Sequence, residues 1–203
     1  FAAIVWFDDP DNYCMILAAD AGDINGDGYG DVLVGSMYLG SNGRVDAYHG
    51  STSGVSFATT LTGASDQDRF GASLRGAGDV NGDGFADVIV GAPGFDSFTG
   101  RTYVYQGGAL GLATTAPTLL DAAAPWSFFG QSSSPAGDVN ADGYDDVIVG
   151  SPFYNSYAGQ THIFEGYDDT DWDGDGYNAT IDCDDHDASV NPYGDEVCDS
   201  SNA

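Results

Sequence analysis

Lysine is absent from the 203 residues, and four arginines (Arg44, Arg69, Arg75 and Arg101) stand against thirty aspartates and two glutamates. A formal net charge of −28 leaves no basic stripe for a phosphate backbone to follow, which excludes nucleic-acid binding. Long apolar runs are missing too, and none nears the roughly 18 residues of a membrane span. The first residue is Phe1, and no basic segment with a cleavage site precedes the rest, so the sequence reads as a processed or trimmed product whose targeting signal is missing. Glutamate is scarce and glycine abundant at 30, which disfavours helices and predicts strands and turns. So much negative charge would strain a compact fold by self-repulsion unless cations offset it; four divalent ions would bring it to roughly −20.

What is present is a loop that occurs three times. Gly22-Asp23-Ile24-Asn25-Gly26-Asp27-Gly28-Tyr29-Gly30-Asp31 runs into Val32-Leu33-Val34-Gly35, and the pattern returns at 78–91 and 137–150. Oxygen side chains stand at loop positions 1, 3 and 5 as Asp23/Asn25/Asp27, Asp79/Asn81/Asp83 and Asp138/Asn140/Asp142, with Asp31, Asp87 and Asp146 at position 9. A hard cation of calcium's size takes six to eight oxygens at about 2.3–2.6 Å, so the chain must wrap closely around it. Alternate positions then point inward, Gly28, Gly84 and Gly143 permit the sharp turn, and the carbonyls of Tyr29, Phe85 and Tyr144 complete the shell. The first half is shared with EF-hands. The second half differs, because the last acid falls at position 9 and a strand-forming Val/Ile run follows.

The loops begin 56 and 59 residues apart, at Asp23, Asp79 and Asp138. Each period adds further landmarks: Phe70-Gly71 and Phe129-Gly130 seven residues before the loop, with Cys14-Met15 in the first copy; then Gly91-Ala92-Pro93, with weaker versions at Gly35-Ser36-Met37 and Gly150-Ser151-Pro152. Alternating strands follow at Gly43–Tyr48, Gly100–Tyr105 and Gly159–Phe164, and fourth strands are expected near Val55–Leu61 and Thr115–Leu120. Four short strands per period describe a propeller blade. At these landmarks residues 1–166 resemble the FG-GAP repeat family of integrin-alpha-like beta-propellers. The resemblance implies an all-β fold of four-stranded antiparallel blades, with calcium held by the named Asp and Asn residues in the hairpin between the first two strands of each blade.

Phe1–Phe7 aligns with the fourth strand of an earlier blade, and the third blade has no fourth strand of its own. A closed propeller needs about four to eight blades, so the expectation is an incomplete propeller: either a piece of a longer one, or one completed by strand donation between copies into a ring or a filament.

After Gly166 the composition changes, and 167–203 is expected to be a separate aspartate-rich tail. Asp171, Asp173, Asp175, Tyr177 and Asp182 open another loop, followed by Asp182-Cys183-Asp184-Asp185-His186-Asp187 and, later, Asp195-Glu196-Val197-Cys198-Asp199. The stretch resembles the metal-binding repeat named after the bacterial surface protein MopE and, more distantly, thrombospondin type 3 repeats. With too few apolar residues for a core, the tail is expected to order around one or two calcium ions through these acids, with Asp184, Asp187 and Glu196 among the ligands and a Cys183–Cys198 bridge. The alternative is a disordered acidic tail. His186 could add a nitrogen ligand suited to copper or zinc, and Cys14 is read as a buried thiol or an intermolecular disulfide partner.

Catalysis finds no support, since no nucleophile elbow, phosphate loop or zinc helix motif is present and the clustered acids are accounted for as calcium ligands. Ser132-Ser133-Ser134 reads as a polar edge. Two functions are carried forward. One is an extracellular, calcium-stabilised structural or adhesive module, self-associating or docking to a cell-surface or matrix partner, because millimolar calcium that fills weak sites is found outside the cell. The other is a lectin-like propeller, in which Tyr38, Phe98, Tyr154 and Tyr157 stack on a glycan.

Overall fold

The computed structural model describes residues 16–38, 40–115, 117–121 and 124–167. Phe1–Phe7, Cys14 and residues 168–203 of the aspartate-rich tail, with its expected ligands and disulfide, lie outside these residues.

Alternating side chains and glycine-led turns produce eleven strands among the described residues, in three antiparallel sheets. The first blade is β1 (Ile16–Gly22), β2 (Asp31–Ser36), β3 (Arg44–His49) and β4 (Ser56–Thr62), hydrogen-bonded in sequence order. The second is β5 (Ser73–Gly78), β6 (Asp87–Ala92), β7 (Arg101–Tyr105) and β8 (Thr118–Asp121). The third has β9 (Ser132–Gly137), β10 (Asp146–Ser151) and β11 (Gln160–Phe164). The blade expectation holds, with β8 starting three residues later than the sequence suggested. The serine run becomes β9, an edge strand of its sheet whose other flank meets β5.

Two residues per period put opposite faces of one strand into different cores. Val88, Val90 and Ala92 of β6 join Leu33, Val45, Phe70 and Leu74 between the first and second blades, while Ile89 joins Val104, Phe129, Val147 and Val149 between the second and third. Every residue of β6 is buried as a result, which is why Val88-Ile89-Val90 runs apolar without alternation. The four arginines make no basic patch. Arg101 forks onto Asp121 across β7 and β8 with two 2.6 Å bonds and lies 4.0 Å over the Phe95 ring, Arg44 pairs with Asp46, Arg69 covers Phe98, and Arg75 donates to the Leu74 carbonyl.

The Phe-Gly pairs are the joints between blades. Phe70 donates its N–H to the Asn42 carbonyl and bridges Gly43; Phe129 donates to Thr99 and bridges Gly100. Both rings are 0% exposed. A Cβ on Gly100, whose φ is +86°, would lie 2.5 Å from Phe129 N and collide with its carbonyl oxygen, so no side chain fits there.

The connections after β6 and β10 depart from an all-strand reading. Phe95–Phe98 and Tyr154–Tyr157 are single turns whose inner residues are left-handed: Asp96, Ser97 and Phe98 at φ 41°, 57° and 67°, and Asn155, Ser156 and Tyr157 at 48°, 57° and 73°. Six non-glycine residues at positive φ is an uncommon backbone. The repetition in two blades ties it to the architecture.

Candidate metal centres

Each of the three loops is a β1–β2-type hairpin connection closed by its own side chains. In the first, Asp23 Oδ1 accepts the Asp27 N–H at 3.1 Å and Asp23 Oδ2 the Gly28 N–H at 2.8 Å, Asn25 Oδ1 accepts the Asp27 N–H at 3.1 Å, and Asp27 Oδ1 accepts the Tyr29 N–H at 2.9 Å. The second loop repeats this with Asp79, Asn81 and Asp83, and the third with Asp138, Asn140 and Asp142, bond for bond. Backbone donors thus turn the oxygens of positions 1, 3 and 5 into a single turn. At position 6, Gly28, Gly84 and Gly143 have φ of +86°, +88° and +100°.

Position 9 also ties each loop to its own blade. Asp31 Oδ2 accepts the Ile24 N–H at 3.0 Å and its Oδ1 the Gly50 N–H at 2.7 Å; Asp87 holds Val80 and Gly107, and Asp146 holds Val139 and Gly166, in the same way. All three carboxylates are at most 1% exposed. Each staples the loop to the turn that leaves the third strand of its own blade. Burial, opposed by these backbone bonds, raises the Asp31 carboxyl and pushes that of Asp87 up to about 6. Among the described residues no group of three acidic, imidazole or thiolate side chains is already gathered to metal-ligand spacing. A carboxylate oxygen has a second lone pair, so the staple leaves acceptor capacity at each site. The donor set is oxygen throughout, which suits a hard cation rather than a soft one.

The loops are also joined in series, which the sequence did not indicate. Ala86, at position 8 of the second loop, donates its N–H to the Asp23 carbonyl, and Asp145, at position 8 of the third, donates to the Asp79 carbonyl while its Oδ2 accepts the Asp79 N–H at 3.0 Å. The position-7 aromatic of one blade seats on position 4 of the blade before, so a Cβ on Gly26 would come within 2.7 Å of the Phe85 ring and one on Gly82 within 2.5 Å of Tyr144.

The third loop breaks this rule with Ala141, held at φ 62°. Ala141→Gly is expected to raise stability by about 0.5–1 kcal/mol, the left-handed strain outweighing the extra freedom of the unfolded chain. Urea unfolding checks it, and a loss of stability would show that the strain argument is wrong.

A family model described as FG-GAP repeat matches residues 17–48, 70–105 and 129–164, one match per blade. The chain belongs to the FG-GAP repeat family. Among curated proteins, this FG-GAP chain is 34% identical over 143 residues to integrin alpha-4 of Xenopus laevis, 33% over 138 residues to integrin alpha-6 of Gallus gallus and 36% over 143 residues to integrin alpha-IIb of Mus musculus. These matches cover 66%, 64% and 64% of the chain but only 14%, 12% and 14% of the relatives. The FG-GAP repeats carry an integrin-alpha-like propeller segment, and no helix among the described residues is long and apolar enough to cross a membrane.

Of the residues expected to bind glycans, Phe98 and Tyr157 are linked through the rings of Phe128 and Phe153. Tyr38 is 46% exposed on the first blade. Phe98 stacks on Trp126 and Phe128 at 5.4 and 5.0 Å. Tyr157, 79% exposed, meets Phe153 edge to face at 5.3 Å. Trp126, which is 61% exposed, was not singled out by the sequence, because it lies in the connection from β8 to β9 rather than after the Gly-Ala-Pro position.

Proposed function

We propose that this FG-GAP segment is an extracellular, calcium-stabilised module of adhesion or surface assembly, acting through its propeller surfaces rather than by turnover. The observation that carries the reading is the bond-for-bond repetition of one oxygen-lined turn in three blades. In it Asp23, Asn25 and Asp27, Asp79, Asn81 and Asp83, and Asp138, Asn140 and Asp142 would supply side-chain oxygens. The carbonyls of Tyr29, Phe85 and Tyr144 and the remaining lone pairs of Asp31, Asp87 and Asp146 would complete each set. Bound calcium would supply charge compensation and a cross-link within each turn. Similarity to integrin alpha chains supports an adhesive role at a cell surface. The tail, read as a MopE-like repeat with Asp171, Asp173, Asp175, Tyr177, Asp182, Asp184, Asp187 and Glu196, would take up further calcium. Equilibrium dialysis with radioactive calcium tests the site assignment: Asp79→Ala with Asp83→Ala should lower the number of ions bound by one, and unchanged stoichiometry would contradict it.

A second reading, glycan binding, is favoured by one feature. Trp126, Phe128, Phe153 and Tyr157, with Asn155 and Ser156, line a cleft of about 470 Å³, combining apolar faces with amide and hydroxyl groups as sugar sites do. Specific glycan-array signals that disappear in Tyr157→Ala would support it; an empty array in calcium would dismiss it.

A further inference from the structure

In the first two loops the packing of the next blade forces glycine to follow asparagine. Position 3 is Asn25 or Asn81, and position 4 is Gly26 or Gly82, left-handed at φ +71° and +73°. Each glycine lies against the position-7 aromatic of the following blade, where a Cβ would come within 2.7 Å of the Phe85 ring or 2.5 Å of the Tyr144 ring. The third loop has Ala141 after Asn140 instead. One further Asn-Gly pair, Asn42-Gly43, lies in the first blade joint.

An asparagine followed by glycine can modify itself. The glycine nitrogen gives up its proton and attacks the side-chain amide carbon, the amide nitrogen leaves as ammonia, and a succinimide ring closes. Water then opens the ring at either carbonyl, leaving aspartate or isoaspartate, so that one water is consumed for each ammonia released. A side chain on the following residue obstructs the attack, whereas glycine has none and moves most freely, so Asn-Gly reacts ahead of Asn-Ala. In the folded loops the amide is restrained. Asn25 Oδ1 accepts the Asp27 N–H and Asn25 Nδ2 donates to Asp27 Oδ2, both at 3.1 Å, and Asn81 is tied to Asp83 in the same way at 3.3 and 3.1 Å. Both bonds must open before the amide carbon can turn to the glycine nitrogen. Gly26 and Gly82 are exposed, so the water for ring opening is at hand. Asn42 is held differently, its Nδ2 donating to the Gly63 carbonyl at 2.5 Å while Gly43 is buried against Phe70.

From this we propose that Asn25 and Asn81 are sites of spontaneous deamidation, held back while their loops carry calcium and released when it is withdrawn. The choice of sites rests on the Asn-Gly pairs and the bonds around them; the control by calcium rests on the proposed metal binding. A cation on the oxygens of positions 1, 3 and 5 would fix the amide and offset the repulsion between the carboxylates on either side of it, and its loss would restore that repulsion. The two products act differently. Aspartate adds a carboxylate to the oxygen set, whereas isoaspartate routes the main chain through the side-chain carbon and lengthens it. The longer chain moves the Asp27 N–H off the oxygens of Asp23 and Asn25 that it bonds at 3.1 Å. Prolonged calcium withdrawal would thus leave a permanent mark on the first two loops and spare the third.

The test is to incubate the full chain at neutral pH in calcium or in EGTA and to follow each asparagine by peptide mapping, where deamidation registers as the mass change from amide to acid. In EGTA, Asn25 and Asn81 should react at least about tenfold faster than Asn140, about 1.4 kcal/mol of barrier, even though Asn140 is the most exposed of the three. Asn42 should stay intact, which separates opening of the loops from unfolding of the chain. Ala141→Gly, which relieves left-handed strain rather than adding any, should bring Asn140 up to the rate of Asn25. Calcium should slow Asn25 and Asn81 by at least about tenfold, because only the ligand-free loop reacts. Intact Asn25 and Asn81 in EGTA, or losses at Asn140 or Asn42 that match theirs, would overturn the choice of sites. Equal rates in calcium and EGTA would overturn the control by calcium where equilibrium dialysis shows the ions bound. Should dialysis show none bound, the calcium reading and that control fall together, and the order of the asparagines in EGTA still decides the sites.

Discussion

Chelating calcium with EGTA is expected to lower the thermal midpoint of this chain by about 15–30 °C. A ligand held at a hundred times its dissociation constant stabilises the folded state by about 2.7 kcal/mol, so three loops filled to that extent would together contribute about 8 kcal/mol. At this chain length each kcal/mol moves the midpoint by about 2–4 °C. That sum is comparable with the whole stability of an ordinary domain, about 5–15 kcal/mol. Charge acts in the same direction, because at a net −28 every ion lost would restore repulsion among acids that the arginines do not offset. The serial bonds from Ala86 to Asp23 and from Asp145 to Asp79 add a qualitative expectation. Loss of one loop should loosen its neighbour, so that calcorimetric unfolding in a calcium series shifts as one transition rather than three. Equal midpoints with calcium and with EGTA would remove calcium from the account of this fold.

Phe129→Ala should cost about 3–5 kcal/mol, the range for truncating a fully buried aromatic, and the loss should be uneven across the molecule. Phe129 is 0% exposed, packs edge to face with His162 at 5.4 Å and Phe164 at 6.0 Å, and anchors its blade to Thr99 by a 3.1 Å backbone bond. The core it shares with Ile89, Val104 and Val149 is the one buried cluster among the described residues that holds the third blade to the second. Hydrogen exchange should therefore accelerate in β9–β11 well before β5–β8, since local opening follows the local loss of buried contact. Denaturant unfolding gives the total. A cost under about 1 kcal/mol, or exchange that rises evenly through all three blades, would mean that the joint is not where the blades are held together.

The placement of His162 shows how much of this follows from order along the chain. Its alternation with Thr161 and Ile163 puts it on one face of a strand, and the structure has it there, packed on Phe129 and stacked on Phe164. The short left-handed turns at 95–98 and 154–157 were not legible in this way, because Asp-Ser-Phe and Asn-Ser-Tyr carry no glycine to announce positive φ. Nothing local in the sequence favours that backbone; packing of the aromatic residues around it does.

By itself the sequence determined the repeat, the blades, the hairpin position of each loop and the oxygen character of its lining, since these depend on period, on glycine and on residue type at fixed spacing. Tertiary structure decided the rest. It showed that Asp31, Asp87 and Asp146 accept the N–H groups of Gly50, Gly107 and Gly166, and that an aromatic of one blade requires glycine in the loop of the blade before. The physical reason is distance along the chain: the staple spans about 20 residues and the joints connect one blade to the next, and contacts of that range leave no mark in local spacing or propensity.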